Sequence, residues 1–370
     1  MTRLPKAAVR AEAMRLRALF EAGGAVPVDP PVLLPAATLL DLYGEDIRAR
    51  AYTTTDPLRG EQMLRPDFTV PVVQAHMSNG ADTARYTYAG EVFRKQEDDE
   101  ARPNEYFQVG LEIFDGRDPE AADAEVFAAF ADALAGLPVK PATGDIGIMR
   151  AALMGLTLSE DRRAALLRHL WRPRRFRALI DRFAGRRPDP PQRVALLAAM
   201  AAGHDPLDQD APLVGLRSEA EIRARLDRLS LDAQQPLLPT GEVDLLDQVT
   251  GVRDRAPAAL EQLRDVAVDL PSLGPAVGRL ARRLDALAKR GVDVDTLPFE
   301  AGFGRTTLEY YDGFVFGFSV PGRPDLPAIA TGGRYDALTR VLGRGATLPA
   351  VGGIIRPESL LQLKQGGARA

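Results

Sequence analysis

Apolar and polar residues alternate over several short stretches in the first part of the chain, and this period of two is typical of strands. The clearest stretch is 106–116, where four apolar side chains share one face and Gln108 and Glu112 lie on the other face, across Gly110. A second stretch, 84–96, contains alternating tyrosines before Arg94. The pattern predicts two strands that pair with each other.

Helical periodicity marks three other parts of the chain. Residues 6–22 predict a helix that ends at Gly23 and Gly24. Residues 119–136 predict an alanine-rich amphipathic helix. The stretch from about 145 to 290 is rich in Arg, Ala and Leu, is punctuated by Pro and carries almost no strand pattern. We interpret this stretch as an inserted helical domain.

The order of these patterns predicts the fold class. Strand-rich segments lie on both sides of the helical stretch, and the strands are not each followed by a helix, so we expect an α+β fold with an antiparallel sheet flanked by helices. Such a sheet brings residues 50–115 and 300–360 together. We expect a first core segment at 1–144, a mostly helical insertion at 145–292 and a second core segment at 293–370.

The composition excludes several classes of protein. The chain of 370 residues is 45% hydrophobic and contains no Cys, which excludes a disulfide-stapled domain, thiolate catalysis and Cys-ligated zinc. Only His76, His169 and His204 are available as imidazole groups, so we expect no metal site and no cofactor. The net charge of −4 argues against a surface that binds nucleic acid throughout.

The chain carries no apolar run of the ~18–20 residues that a membrane span requires. Residues 1–10 also lack the apolar segment of a secretory signal. We therefore expect a cytoplasmic protein that does not contact a membrane.

Polar residues on the predicted sheet form a candidate pocket. Their carboxylates suit an ammonium group and their arginines suit a carboxylate, so together they could hold a small zwitterion. The alternative is a solvated sheet face with ordinary cross-strand pairs. The candidate residues are Asp67, Thr69, Arg94, Gln108, Glu112, Tyr310, Tyr311, Arg334 and Tyr335.

An arginine-rich stretch lies inside the predicted insertion. Ten Arg occur from Arg162 to Arg187, with Trp171 and Phe176 among them. The stretch could bind RNA or an acidic partner. We favour a solvated pair of amphipathic helices, because long Arg side chains commonly cover such surfaces.

Six segments, taken in order, resemble the catalytic core of histidyl-tRNA synthetase, a class II aminoacyl-tRNA synthetase. The resemblance covers residues of about 5–140 and about 295–363, and it implies the same antiparallel α+β fold. The segments are VPVDPPVLLPAATLLDLYG (similar to motif 1), LRPDFT, YTYAGEVFRKQ with EYFQVGLEIF (similar to motif 2), LEYYDGFVF, TGGRYDAL and AVGGIIRPESLL (similar to motif 3).

Two departures from the synthetase pattern change the implied function. Thr306 and Ser359 stand where the family has arginines that neutralise phosphate charge. Losing one such electrostatic group lowers the rate of the catalysed step by a factor of about 10²–10³. Asp67 also replaces the family's Glu. The chain ends just after the segment similar to motif 3, so we expect no anticodon-binding domain and no tRNA as a partner.

This combination is similar to the family of ATP phosphoribosyltransferase regulatory subunits. The resemblance implies a non-catalytic chain that pairs with a short-form catalytic subunit in the first step of histidine biosynthesis. It also implies a homodimer within a hetero-octamer and L-histidine as the effector, bound either in the candidate pocket or at the subunit interface. A divergent histidyl-tRNA synthetase and a histidine-sensing module for another partner remain as alternatives.

Overall fold

The computed structural model describes residues 4–43, 47, 50–96, 103–208, 215, 217–305, 310–343 and 345–367. Two sheets are built from these residues. The strands are β1 (Val26–Pro27), β2 (Leu33–Pro35), β3 (Thr53–Asp56), β4 (Gly60–Leu64), β5 (Thr83–Phe93), β6 (Glu105–Asp115), β7 (Lys140–Asp145), β8 (Arg253–Arg255), β9 (Pro298–Glu300), β10 (Phe314–Ser319), β11 (Ala330–Arg334) and β12 (Ala350–Ile355).

The larger sheet contains nine strands in the order β1-β5-β6-β12-β11-β10-β7-β9-β8. The β1–β5 and β7–β9 pairs are parallel, and the other pairs are antiparallel. The smaller sheet is antiparallel, in the order β2-β4-β3. The predicted α+β class with an antiparallel sheet is therefore confirmed.

Helices pack on the larger sheet and fill the stretch after β7. In chain order they are α1 (Lys6–Ala22), α2 (Ala36–Tyr43), α3 (Thr69–Asn79), α4 (Pro119–Ala133), α5 (Ile146–Gly155), α6 (Glu160–Arg168), α7 (Pro173–Phe183), α8 (Pro191–Ala201), α9 (Glu219–Ala233), α10 (Thr240–Gly251), α11 (Ala256–Asp269), α12 (Gly274–Lys289), α13 (Asp336–Leu342) and α14 (Pro357–Gly367). Within the described part of the chain, none of them is long and apolar enough to cross a bilayer.

The two strand-rich ends of the chain meet where β6 pairs with β12, as the sequence pattern predicts. Ala350 lies opposite Phe114, and Ile355 lies opposite Val109. The helical stretch between the two ends is interrupted by β8, a short strand that the pattern did not predict. Its three exposed residues carry no apolar alternation, and they pair with β9 at the edge of the larger sheet. The predicted helix 119–136 ends earlier, at Ala133.

Aromatic side chains join α4 to β10. The Phe127 ring centroid lies 5.3–6.4 Å from those of three phenylalanines of β10, and Phe130 lies 5.4 Å from the ring of Phe316. Asp118 caps the helix, since its carboxylate accepts a hydrogen bond from the Ala121 amide. This cap and this buried face fix α4 against the sheet.

A buried ion-pair network joins the helical stretch to the sheet. Arg283 of α12 donates to Asp123 of α4 and to Asp145 of β7, each at 2.8 Å. Arg334 of β11 donates to the same Asp123 at 2.7 Å. Removing one partner from a buried ion pair leaves the other charge buried without a counter-charge, which typically lowers the free energy of unfolding by about 3–5 kcal/mol. The network therefore holds four elements in one arrangement.

Gly332→Ala should destabilise the protein, because a Cβ at this position in β11 would overlap the Phe316 ring and lie 2.5 Å from the Gly352 carbonyl oxygen. Forcing extra volume into a packed core costs about 1–3 kcal/mol. Gly241→Ala is the matched control, since a Cβ there meets nothing within 4 Å. Urea unfolding measures both variants, and equal stability of Gly332→Ala and the wild type would contradict this packing.

Candidate functional site

Glu112 lies at the centre of the candidate site and is fully buried. Its Oε1 accepts hydrogen bonds from the Tyr88 hydroxyl at 2.8 Å and the Thr69 hydroxyl at 2.9 Å. Its Oε2 accepts a hydrogen bond from the Tyr335 hydroxyl at 2.5 Å. Three hydroxyls from separate parts of the chain thus replace the water that a buried carboxylate loses.

Two glycines make room for this arrangement. Gly352 of β12 pairs with Glu112 across the sheet, and a Cβ at Gly352 would overlap the Glu112 carboxylate. Gly110 pairs with Tyr88 in the same way, and a Cβ there would overlap the tyrosine ring. The side chains that surround Glu112 can therefore approach it only because their cross-strand neighbours have no side chain.

Burial raises the pKa of Glu112 from 4.5 to about 7, although the hydroxyls of Tyr335, Tyr88 and Thr69 act in the opposite direction. Desolvation destabilises the charged form by more free energy than the three hydrogen bonds contribute to its stability. Near neutral pH this carboxyl group therefore exists in both protonation states, and it can accept or donate a hydrogen bond.

A cavity of about 140 Å³ opens beside this cluster. Six of the sequence-predicted residues line it: Asp67, Thr69, Arg94, Gln108, Tyr310 and Tyr311. The lining also includes Thr331, Gly353, Ile354 and Arg356, which the sequence analysis did not select. Glu112 and Tyr335 lie outside the lining, and Glu112 is linked to the cavity through the Thr69 hydroxyl.

The polar groups of the cavity are oriented by local contacts. The Asp67 carboxylate accepts the Val70 amide at 3.3 Å, and the Tyr310 hydroxyl donates to the Thr69 hydroxyl at 3.4 Å. Arg94 donates from Nε to the Pro66 carbonyl at 2.7 Å. These contacts place hydrogen-bond acceptors and donors around one enclosed space.

Arg334 is the predicted site residue that lies away from the cavity. It is buried, donates to Asp123, Asp336 and the Pro119 carbonyl, and belongs to the ion-pair network described above. Ser359 lies in α14 and is mostly buried. Thr306 lies outside the described residues.

The arginine-rich stretch forms the predicted helix pair, α6 and α7, but Arg162 is buried rather than solvated. Several of its arginines bind carboxylates of other helices. Arg162 donates to Asp232 at 2.6 Å, Arg177 donates to Asp247 at 2.5 Å, and Arg186 lies 3.4 Å from Asp244. These contacts hold helices together.

Comparison with known proteins gives the family. The family model described as histidyl-tRNA synthetase matches residues 2–235 and 217–360. The chain is 31% identical to a Brucella canis protein over 358 residues, which cover 91% of this chain and 93% of that protein. It is 32% identical to a Brucella anthropi protein over 356 residues, with the same coverage. Both relatives are named ATP phosphoribosyltransferase regulatory subunit.

The chain belongs to this family of regulatory subunits, within the larger histidyl-tRNA synthetase family. Solved structures agree with this assignment at the level of the fold. A regulatory subunit/histidyl-tRNA synthetase from Bacillus halodurans matches with a TM-score of 0.68 at 20% identity, over 98% of this chain and 81% of that one. A histidine–tRNA ligase subunit from Alicyclobacillus acidocaldarius matches with a TM-score of 0.61 at 24% identity, over 100% of this chain and 96% of that one.

Glu112→Gln should remove a pH dependence of stability. The folded-state pKa of Glu112, about 7, lies above the ordinary 4.5. Folding therefore takes up a proton between these values, and the stabilisation present at low pH is lost as the pH rises through about 7. From about pH 5 to about pH 8, the wild type should lose up to roughly 3 kcal/mol more unfolding free energy than Glu112→Gln.

Urea unfolding at both pH values measures this difference. Glu261→Gln is the matched control, because Glu261 is exposed on α11 and pairs with Arg264 there. It should retain the wild-type pH dependence. Parallel pH profiles for the wild type and Glu112→Gln would show that Glu112 is not the group that titrates.

Proposed function

We propose that this chain is the regulatory subunit of an ATP phosphoribosyltransferase, and that free L-histidine, bound in the cavity beside Glu112, is its effector. The observation that carries the histidine assignment is the fully buried Glu112 carboxyl, held by three hydroxyls and linked to the cavity by Thr69. The Thr69 hydroxyl, which donates to this carboxyl group, lines the cavity and can accept a hydrogen bond from an imidazole N–H, so that the ligand is coupled to Glu112 through Thr69.

The size of the cavity supports a ligand no larger than an amino acid. Its volume of about 140 Å³ lies well below the roughly 300–1,000 Å³ of pockets that enclose larger organic ligands. A nucleotide and an amino acid together exceed this space. Ser359 and Thr306 at positions where the synthetases carry arginine support the same conclusion, that the chain does not activate histidine with ATP.

The proposed partners follow from family membership. The chain would pair with the short-form catalytic subunit in the cytoplasm, as a homodimer within a hetero-octamer, without tRNA. Exposed apolar side chains at β1, at β2 and in the turn between β3 and β4 support subunit contacts at these elements, because uncovered apolar surface marks interfaces. They are Val26, Val32, Leu33 and Leu58.

Adding this chain to the short-form catalytic subunit should raise the rate of phosphoribosyl-ATP formation, and L-histidine should then lower that rate. The reason is that a regulatory subunit shifts its partner between conformations of different activity. The measurement is the initial rate of product formation with and without the chain, with serum albumin as the mixing control. An unchanged rate, together with separate elution of the two proteins in size-exclusion chromatography, would overturn the regulatory assignment.

Glu112→Gln and Glu112→Leu should weaken L-histidine binding by roughly 10- to 100-fold, with the larger loss for Leu. Removing one partner from a hydrogen bond to a charged group costs about 1.5–3 kcal/mol. Isothermal titration calorimetry on the isolated chain and on the complex gives the affinities, with Glu261→Gln as the control. Wild-type affinity in both Glu112 variants, with inhibition intact, would place histidine at the subunit interface instead.

A further inference from the structure

Arg305 lies in the turn after β9, where this turn contacts the connection between α6 and α7. The residue is 8% exposed. Its Nε donates to the Leu170 carbonyl at 2.8 Å, and its guanidinium carbon lies 4.7 Å from the centroid of the Phe176 ring. Leu170 belongs to the connection and Phe176 to the first turn of α7, so the guanidinium is held at the start of α7.

This buried cation has no counter-charge in the described part of the chain. No carboxylate of the described residues forms an ion pair with Arg305, and its Nη2 is buried without a hydrogen-bond acceptor. Burial lowers the pKa of Arg305. One carbonyl group and one aromatic ring offset only part of the free energy that a guanidinium group loses on leaving water. The site is therefore costly unless an anion completes it.

The first turn of α7 adds an independent preference for an anion. The helix begins at Pro173, no side chain caps it, and its first turn contains no acidic residue. The turn instead contains Arg174 and Arg175, both exposed. Cationic side chains are unfavourable at the positive end of a helix dipole, whereas a bound anion is favourable there and can accept from the backbone amides. The start of α7 thus has the charge of an anion-binding site.

His169, the residue after α6, has a further unsatisfied nitrogen at this place. Its Nδ1 is buried and has no hydrogen-bond partner among the described residues. The next residue, Leu170, supplies the carbonyl that holds the guanidinium group. Burial lowers the pKa of the His169 imidazole, and the positive charges of Arg172, Arg175 and Arg168 lower it further. The imidazole is therefore surrounded by cations, and in the tautomer with hydrogen on Nδ1 it is a hydrogen-bond donor.

We propose that Arg305, His169 and the first turn of α7 form a binding site for the terminal phosphate group of a small phosphorylated molecule. The donors come from three separate elements, and a phosphate has acceptor oxygens on several sides, whereas a carboxylate has two in one plane. A terminal phosphate also reaches an 8% exposed guanidinium more readily than an RNA phosphodiester, which carries a sugar on each side. Arg305 does not line the cavity beside Glu112, so this is a second site, and it does not depend on where histidine binds.

Isothermal titration calorimetry on the full chain tests the site, with pyrophosphate as the probe and a phosphate-free buffer. Pyrophosphate should bind the wild type, and Arg305→Gln should lower its affinity by roughly 10- to 100-fold, because a charge-assisted hydrogen bond is lost. Arg264→Gln is the matched control, since Arg264 is an exposed arginine of α11 paired with Glu261. It should keep the wild-type affinity within about twofold. A parallel titration with ATP distinguishes a nucleotide from an inorganic source of the phosphate group, according to which of the two binds more tightly.

Arg175→Gln serves if Arg305→Gln does not fold, because Arg175 is exposed. It should lower pyrophosphate affinity by about two- to fivefold, the contribution of one charge at a helix end. Failure of both pyrophosphate and ATP to bind the wild type, an unchanged affinity in Arg305→Gln, or an equal loss in Arg264→Gln would overturn the proposal. Binding of a single-stranded RNA oligonucleotide without binding of pyrophosphate or ATP would overturn it in favour of an RNA surface. Displacement of pyrophosphate by L-histidine would place the anion in the cavity beside Glu112 and overturn it as well.

Discussion

Burial of the Glu112 carboxyl group is the constraint on which the centre of this fold depends. A carboxylate without water needs donors, and the three that reach it come from the first turn of α3, the middle of β5 and the residue after β11. They reach it only if Gly352 lies opposite Glu112 and Gly110 lies opposite Tyr88. A one-residue slip of β5 or β12 would place a side chain at one of these positions and turn the donors to the other face. The hydrogen bonds of the site and the register of three strands are therefore fixed together.

The end of β11 connects the site to the helical stretch. Tyr335 binds Glu112, and its neighbour Arg334 binds Asp123, which also accepts from Arg283 of α12. The two side chains diverge from adjacent backbone positions, one toward Glu112 and one into the ion-pair network. On the other side, Asp312 follows Tyr311 and accepts hydrogen bonds from the Asp336 and Ala337 amides. A shift of Tyr335 is thus shared with Arg334 and Asp123, and through Asp123 with α12, whereas a shift of the cavity wall at Tyr311 is shared with Asp312.

The sequence predicted what depends on local pattern and missed what depends on register. Alternation identified β6 and its polar face, and a helical period with a double glycine identified α1. Arg334 and Tyr335 both appear among the polar candidates of the predicted sheet, but neighbouring residues leave a strand end in opposite directions. Tyr88 was recognised as a strand residue only, since its contact with Glu112 requires Gly110 opposite it. The sequence analysis did not select Arg356, because only the pairing of β12 with β6 brings it next to Gln108.

The protonation chemistry of Glu112 gives the site a reason to prefer a ligand with an N–H group. Desolvation holds the carboxyl near the midpoint of its titration, so neither form is strongly favoured at neutral pH. A donor that reaches the carboxyl oxygen, or the Thr69 hydroxyl bound to it, stabilises the ionised form and offsets part of the desolvation cost. An apolar side chain of similar size would leave that cost in place. The proposed binding is therefore coupled to the charge of one buried residue, which accepts hydrogen bonds from Tyr88 of β5 and from Tyr335, the residue after β11.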